Sequence, residues 1–325
     1  MSTPQDDAVG PLDEAGGASV PPAQVPASGT EGTGSTADAE GAAGATEAAP
    51  AGPPVCPRHP DRVSYVRCQR CERPTCPQCQ RPAAVGIHCV DCVREAARTA
   101  PQQRTAFGAP IRAGGPVVTY TIVALTVASY LLQLFLGDTW VDALIFWPAG
   151  AQDEPYRFLT SALLHSTGGT FGLTHILFNM YALWLIGPVL ERAFGRARFL
   201  ALYALSVIGG HVLVLLIASP VELSWYTGVV GASGGIFGLF GALLIAQRRV
   251  GGDLRGITVL LVLNLVITFV VPGISWEGHL GGLVTGTALG AVYAYAPKDR
   301  RTVLHVAGAV AVAVALALLA FLQYR

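Results

Sequence analysis

The chain has 325 residues, of which 52% are hydrophobic and only 13% are charged. Charged residues this rare argue against an ordinary soluble protein and are typical of a chain with several membrane-spanning segments. The formal net charge is zero, so the overall charge by itself points to no class of partner, and we expect none among nucleic acids.

Residues 1–55 read as an acidic, low-complexity tail rich in Ala, Gly, Pro, Ser and Thr. The first 57 residues contain no Lys or Arg. Such a segment buries too little apolar surface to offset the entropy that ordering it would cost. We therefore expect the tail to be disordered.

All seven cysteines lie between residues 56 and 92. With one histidine they form four pairs, each separated by two residues: Cys56 and His59, Cys68 and Cys71, Cys76 and Cys79, Cys89 and Cys92. This spacing lets one turn present two ligands to a tetrahedral zinc ion. Eight ligands suffice for two structural zinc ions, and His88 is a spare that could replace Cys89. A ribbon with one zinc ion and spare thiols is the alternative.

A zinc-stabilised module is therefore predicted over residues 56–92. Because Cys and His fill every ligand position, no open site for chemistry remains, and we expect the module to bind a cytoplasmic protein or to act as a scaffold. The order of its ligand pairs resembles that of B-box-type zinc fingers. The resemblance implies that the first and third pairs share one zinc ion and that the second and fourth pairs share the other.

Residues 93–116 are predicted to be a linker that is helical at first and flexible later. Beyond it, apolar segments alternate with short polar loops. Seven segments are candidate membrane helices: 117–136, 173–190, 199–218, 233–246, 257–271, 279–296 and 303–322. The fourth and fifth are short for a crossing that needs about 20 residues. The predicted fold class is an all-α polytopic membrane protein with seven transmembrane helices behind a small zinc module.

Basic residues indicate the orientation of these helices. Arg and Lys flank one end of the candidate spans, whereas the opposite loops contain Arg157 alone among basic residues, together with several acids. The positive-inside rule then places the N-terminus in the cytoplasm and the C-terminus outside, in a multi-pass protein of the cell membrane. The cysteine module would lie in the reducing cytoplasm, where thiols bind zinc rather than form disulfides.

Strongly polar side chains inside membrane spans are costly, so each is a functional candidate. The candidates, in chain order, are His175, Asn179, His211, Ser233, Asn264, His279 and His305. We expect His211 and His305 to be structural and Asn264 to bridge helices. The spans contain no Asp or Glu, and the chain has no HExxH motif. These absences exclude a two-aspartate intramembrane protease and argue against a zinc-dependent one.

Three of these helices bring polar residues to one depth. The second, fourth and sixth spans run inward, and their polar residues lie roughly 20 to 28 Å above the cytoplasmic boundary at 1.5 Å per residue. Glycines recur every four residues along the fourth and sixth spans, which lets two helix backbones approach closely. We therefore expect the Ser233 hydroxyl to come within reach of the His279 imidazole, a base that could activate it. His175 and Asn179 share a helix face and could stabilise an oxyanion with the Ser233 N–H.

Four motifs resemble the rhomboid family of intramembrane serine proteases. They are HILFN at 175–179, GPVLERAFG at 187–195, GASG at 231–234 and GHLGGLVTG at 278–286. The resemblance covers residues 117–296 as a six-helix core and leaves 297–325 as an additional C-terminal transmembrane helix. It implies that Ser233 is the nucleophile, His279 the general base, and His175 and Asn179 oxyanion donors. It also implies that no cofactor takes part in catalysis and that the substrates are single-pass membrane proteins, cut near the outer membrane boundary.

Two departures from the family pattern concern aromatic residues. Tyr156-Arg157 stands where the family has Trp-Arg, and Phe237 stands where many bacterial members have Tyr. Neither change removes a catalytic group. The alternatives are a catalytically inactive rhomboid-like protein that binds membrane helices, and a zinc-module scaffold with a membrane anchor. The presence of both Ser233 and His279 argues against the first, and their matched depth argues against the second.

Overall fold

The computed structural model describes residues 52–101, 103–168 and 172–325. The chain divides into two compact units, with the boundary between Glu95 and Ala96. Most of the acidic tail predicted over residues 1–55 lies outside the described residues. Its last residue, Val55, already belongs to the first strand.

The first unit is small and built from short strands. β1 (Val55–Cys56) pairs antiparallel with β2 (His59–Val63), and β3 (Gln80–Pro82) pairs antiparallel with β4 (Ile87–Cys89). Helix α1 (Val90–Thr99) follows and runs past the end of the unit. Buried cysteines make up the two small core clusters. Because so little other apolar surface is buried, a bound metal would have to supply much of the folding energy.

The second unit is helical. Its long helices are α2 (Val117–Leu136), α6 (Gly172–Phe194), α7 (Arg196–Ile217), α8 (Ser233–Val250), α9 (Arg255–Val270), α10 (Trp276–Tyr295) and α11 (Arg301–Gln323). Three short helices, α3 (Asp138–Leu144), α4 (Pro148–Ala151) and α5 (Arg157–Thr160), lie between α2 and α6. Each apolar segment predicted from the sequence coincides with one of the long helices.

Among the described helices, four are long and apolar enough to cross a membrane, namely α2, α6, α7 and α11. The seven crossings predicted from the sequence are therefore supported for these four. α9 is apolar but shorter. α8 and α10 contain many glycines, which lower mean hydropathy, and much of their surface is buried among other helices.

The glycines place α8 and α10 in backbone contact. A Cβ on Gly282 would collide with the backbone of Gly234, and one on Gly286 would collide with the backbone of Gly238. A Cβ on Gly290 would lie 2.7 Å from the Cα of Ala242. The close approach predicted from the four-residue glycine spacing is confirmed, and it brings the first turns of the two helices together.

The second half of the predicted linker is not a flexible tether. Phe107 is buried, and its ring lies 5.0 Å from that of Phe194. The Thr105 hydroxyl donates a hydrogen bond to the Ala193 carbonyl at 2.7 Å, and Arg198 donates one to the Phe107 carbonyl at 2.8 Å. The prediction of flexibility was wrong here because one apolar side chain in a polar segment leaves no periodic signal.

The segment between α2 and α6 is organised around buried Arg157. Its Nη1 donates to the carbonyls of Asp142 at 2.6 Å and Ile145 at 2.9 Å, and its Nε donates to the Glu154 carboxylate. The guanidinium also lies over the Trp147 ring, 4.3 Å from the centroid. Arg157 therefore holds the short helices together.

Three other polar residues that the sequence marked within the spans are His211, His305 and Asn264, and each makes a hydrogen bond. His211 contacts the Ser161 hydroxyl and the Phe158 carbonyl, both at 2.9 Å, as expected of a structural residue. His305 on α11 donates to the Tyr293 carbonyl of the preceding helix. Asn264 was expected to bridge helices, but its amide donates to the Leu260 carbonyl of its own helix.

Candidate active site

Ser233 begins α8, directly after a turn that only glycine adopts easily. Gly231 has a φ of 126°, a region that strains any residue with a Cβ. Its N–H donates to the Ser161 carbonyl at 3.1 Å, which anchors the turn. A Cβ at Gly231 would lie 3.2 Å from the His175 ring and 3.6 Å from the Ser233 hydroxyl oxygen. The glycine thus makes the turn and leaves room for two candidate site residues to approach.

His279 lies in the first turn of α10. Ser275 caps this helix, since its hydroxyl accepts a hydrogen bond from the Gly278 N–H at 3.1 Å. The His279 ring stacks on Phe237, with centroids 4.2 Å apart and planes inclined by 16°. Phe237 is one turn after Ser233 on α8, so the imidazole lies against the helix that begins with the serine.

No hydrogen bond joins the Ser233 hydroxyl to the His279 ring in the described part of the chain. Within the described residues, the ring bonds through Nδ1 to the Thr268 hydroxyl at 2.7 Å and not to Ser233. Catalytic hydrogen bonds are often long or poorly aligned in an enzyme without substrate, so the missing bond does not exclude a Ser–His pair, which stays a prediction.

Thr268 was not singled out by the sequence. It is 3% exposed and is the one buried residue of α9 among those described. A threonine in an apolar helix usually satisfies its hydroxyl within that helix, and Thr268 does so through the Asn264 carbonyl at 2.8 Å. Nothing in the sequence pattern marks its second contact.

His175 and Asn179 occupy the same face of α6, as predicted. The Ser166 N–H donates to Nδ1 of His175 at 3.3 Å, and the Asn179 amide donates to the His175 carbonyl at 2.8 Å. The side-chain oxygen of Asn179 is buried without a partner in the described part of the chain. Because Nδ1 of His175 accepts a hydrogen, its Nε2 carries the proton of the neutral ring and can donate.

His165 is a buried neighbour that the sequence did not reveal. Its ring centroid lies 5.0 Å from that of His175, and neither ring nitrogen has a partner among the described residues. Gln133 on α2 holds its backbone through hydrogen bonds of 2.9 and 3.0 Å. His165 falls outside the apolar segments, so the sequence pattern gives no signal that its side chain is buried.

The eight predicted metal ligands form two groups. One contains Cys56, His59, Cys76 and Cys79, and the other contains Cys68, Cys71, Cys89 and Cys92. Within each group all ligand atoms lie within 4.8 Å of one another. The Sγ atoms of Cys71 and Cys89 are 3.8 Å apart, which is about the S···S distance of tetrahedral zinc with bonds of about 2.3 Å. The grouping implied by the B-box resemblance is confirmed, and His88 belongs to neither group.

The thiols of each group differ in acidity. The backbone N–H of Cys76 is the main cause that lowers the pKa of Cys56 to about 6. Burial opposes ionisation of Cys68, but neighbouring N–H groups led by that of Cys89 outweigh it and lower its pKa to about 6. Burial raises the pKa of Cys79 to about 11 and that of Cys92 to about 12. A divalent cation would offset the charge that several buried thiolates carry together.

The comparisons with known proteins agree on one family. The Rhomboid domain family model matches residues 152–296. The rhomboid protease GluP of Bacillus subtilis (strain 168) is 34% identical over 199 residues, which are 57% of this chain and 36% of GluP. The putative rhomboid protease YdcA of the same organism is 35% identical over 183 residues, covering 54% of this chain and 86% of YdcA.

A third relative is the rhomboid protease AarA of Providencia stuartii, 29% identical over 221 residues that make up 58% of this chain and 76% of AarA. The match thus spans about a third of GluP but most of YdcA and AarA. The matched region contains the candidate residues on α6, α8 and α10.

Proposed function

This chain belongs to the rhomboid family, and on that premise we propose that it is an intramembrane serine endopeptidase. Its substrates would be single-pass transmembrane proteins, cut where a helix unwinds near the outer membrane boundary. The observation that supports the proposal is at Gly231, where a Cβ would lie 3.2 Å from the His175 ring and 3.6 Å from the Ser233 hydroxyl oxygen. Phe237, one turn after Ser233, stacks on His279.

In the proposed mechanism, Nε2 of His279 takes the proton of Ser233 as the hydroxyl oxygen attacks the scissile carbonyl. The tetrahedral intermediate collapses to an acyl-enzyme when His279 returns this proton to the leaving amine. Water, deprotonated by the same nitrogen, then hydrolyses the ester and regenerates the serine. No carboxylate is assigned to this dyad.

The oxyanion would be stabilised by donors that are set before substrate binds. His175 offers Nε2–H because its Nδ1 is occupied by the Ser166 N–H. Asn179 has a second amide hydrogen beyond the one given to the His175 carbonyl. The Ser233 N–H, at the free N-terminus of α8, completes the set.

The proposed topology has seven crossings, with a cytoplasmic N-terminus and an extracytoplasmic C-terminus. α8, α9 and α10 would cross together with the four helices that satisfy length and hydropathy. The packing of α8 and α10 through glycine supports this, because helices buried in a bundle need less apolar surface than helices facing lipid. Residues 117–296 would form the protease core and 297–325 the added helix.

The Cys/His groups would hold two structural zinc ions. Four ligands in each group leave no coordination position for a substrate, so zinc would supply folding energy and no step of the cleavage. The module at 56–92 would then serve to bind a cytoplasmic partner.

A serine-directed fluorophosphonate tests the proposal. The purified protein in detergent should be labelled and should cleave a model transmembrane substrate, and Ser233→Ala should lose both properties. Ser224→Ala, a change of an exposed serine in the loop before α8, should keep both. His279→Ala should also abolish cleavage. A wild-type protein that neither reacts nor cleaves would favour the alternative, an inactive rhomboid-like protein that only binds membrane helices.

A further inference from the structure

The two nitrogens of His279 have different neighbours, and the contact of one decides what the other can do. We propose that Thr268 on α9 is a positioning residue that holds His279 in the tautomer with its proton on Nδ1. The inference rests on the proposed function, in which the unprotonated Nε2 is the general base for Ser233.

The Thr268 hydroxyl has a single hydrogen to donate. Its oxygen lies 2.8 Å from the carbonyl oxygen of Asn264, one turn earlier on α9. Two oxygens at this distance attract each other only if a hydrogen lies between them, and a carbonyl has none to give. The Thr268 hydrogen is therefore committed to Asn264.

The same hydroxyl oxygen also contacts the imidazole of His279. The Thr268 oxygen lies 2.7 Å from Nδ1 of His279. With its hydrogen already committed, it can only accept at this contact, so Nδ1 must carry the hydrogen. A neutral imidazole has one N–H, and Nε2 is then left with a free lone pair.

Other contacts of the ring cannot make this choice. Phe237 stacks on the His279 ring and limits its tilt, but a phenyl face has no polar atom and does not distinguish the two nitrogens. Both Thr268 and His279 are buried, at 3% and 8% exposure, so bulk water competes little for Nδ1. A neutral hydroxyl here occupies the place that a carboxylate has in a Ser-His-Asp triad.

The second histidine of the site shows the opposite arrangement. Nδ1 of His175 accepts from the Ser166 N–H, which leaves Nε2–H as a donor. Nδ1 of His279 donates to Thr268, which leaves Nε2 as an acceptor. In each ring a contact at Nδ1 assigns the role of Nε2, so the donor and the base are set by separate parts of the fold.

Replacement of Thr268 by residues of matched shape tests the proposal. Thr268→Val keeps the branched shape and removes the acceptor, so kcat for a model transmembrane substrate should fall roughly 10- to 100-fold with little change in KM. Thr268→Ser restores the hydroxyl and should recover most of the wild-type kcat. Thr258→Val, an exposed change near the start of the same helix, is the control and should leave kcat unchanged. Equal melting temperatures would show that all three variants are folded.

A second measurement determines the tautomer of His279 and does not require the protein to be active. Nitrogen NMR of protein labelled with ¹⁵N-histidine should show a protonated Nδ1 in the signal that disappears in His279→Ala. In Thr268→Val this signal should move toward the Nε2–H tautomer. A wild-type His279 protonated on Nε2 would overturn the proposal, as would an unchanged kcat in Thr268→Val or a Thr268→Ser variant as slow as the valine variant.

A different result would show that the proposed function, rather than the role of Thr268, is wrong. It would appear as a wild-type protein that neither cleaves substrate nor reacts with fluorophosphonate. The NMR signal would still support or overturn the assignment of Thr268.

Discussion

At the scale of single residues, the proposed active site depends on which hydrogens are already committed to hydrogen bonds before a substrate would bind. Asn179 gives one amide hydrogen to the carbonyl of His175, one turn earlier, and this bond holds the side chain against its helix. Its other amide hydrogen has no partner among the described residues, so under the proposed function it would be available to a developing negative charge. Such preorganised donors are worth more in a buried site than in water because they need no reorganisation during the reaction.

Asn179→Ala should therefore lower kcat by roughly 10- to 1000-fold, the range expected for loss of one oxyanion donor. Labelling of Ser233 by a fluorophosphonate should persist at a reduced rate. Asn264→Ala is the matched control, because Asn264 makes the same bond one turn back but is only half-buried on α9. Steady-state kinetics in detergent would measure both variants. An unchanged kcat in Asn179→Ala would mean that this side chain only stabilises α6.

At the scale of helices, the α8–α10 interface decides whether the site can form. Ser233 and His279 each lie in the first turn of a helix, so their separation is set by how closely the two axes approach. Glycines where α8 and α10 cross bring the two helix backbones into direct contact. This contact strengthens the van der Waals packing between the helices, which lipid cannot replace. A single methyl group in this interface would force the axes apart.

Gly286→Ala places a Cβ against the backbone of Gly238. Overpacking of this kind costs about 1–3 kcal/mol of stability, so the melting temperature should fall and cleavage should decrease. Gly256→Ala is the control, since a Cβ there meets no other atom within 4 Å. That change should leave melting and activity intact or raise stability slightly, because alanine favours helix. Equal melting curves for the two variants would contradict the assigned packing of α8 on α10.

At the scale of the whole molecule, two units with different sources of stability share one chain. The helical unit is stabilised by packing and by membrane burial, whereas the first unit has a core made mainly of cysteines. One of its ligand groups has three thiols and an imidazole and the other has four thiols, and both donor sets are typical of structural zinc. Because these ligand sets are complete, the metal sites and the serine site should function independently.

Elemental analysis should find two zinc ions per chain. The pair of changes Cys68→Ser and Cys71→Ser should remove one ion and leave the group with His59 loaded, since the two groups share no ligand. The kcat of this variant on a detergent-solubilised substrate should match that of the wild type. Loss of both ions would show that the two groups fold as one cooperative unit, and loss of activity would contradict the independence of the serine site.

The sequence by itself determined the features that depend on local spacing. Cysteine pairs separated by two residues predict ligand pairs because one turn spans that distance. Apolar runs predict helices, and the four-residue glycine spacing predicts their close contact. Polar residues in apolar segments marked Ser233, His279, His175 and Asn179 because their burial is costly. The roles of these four residues stay predictions until the variants are measured.

Only the tertiary structure decided the features that depend on contacts between separate elements. Thr268 resembles any threonine that bonds within its own helix, and its contact with Nδ1 of His279 exists only because α9 packs beside α10. The burial of His165 and the packing of Phe107 on Phe194 likewise left no periodic signal. Periodicity reports which face of a helix is apolar, whereas a hydrogen bond between two helices depends on their relative register and rotation, which packing of the whole bundle sets.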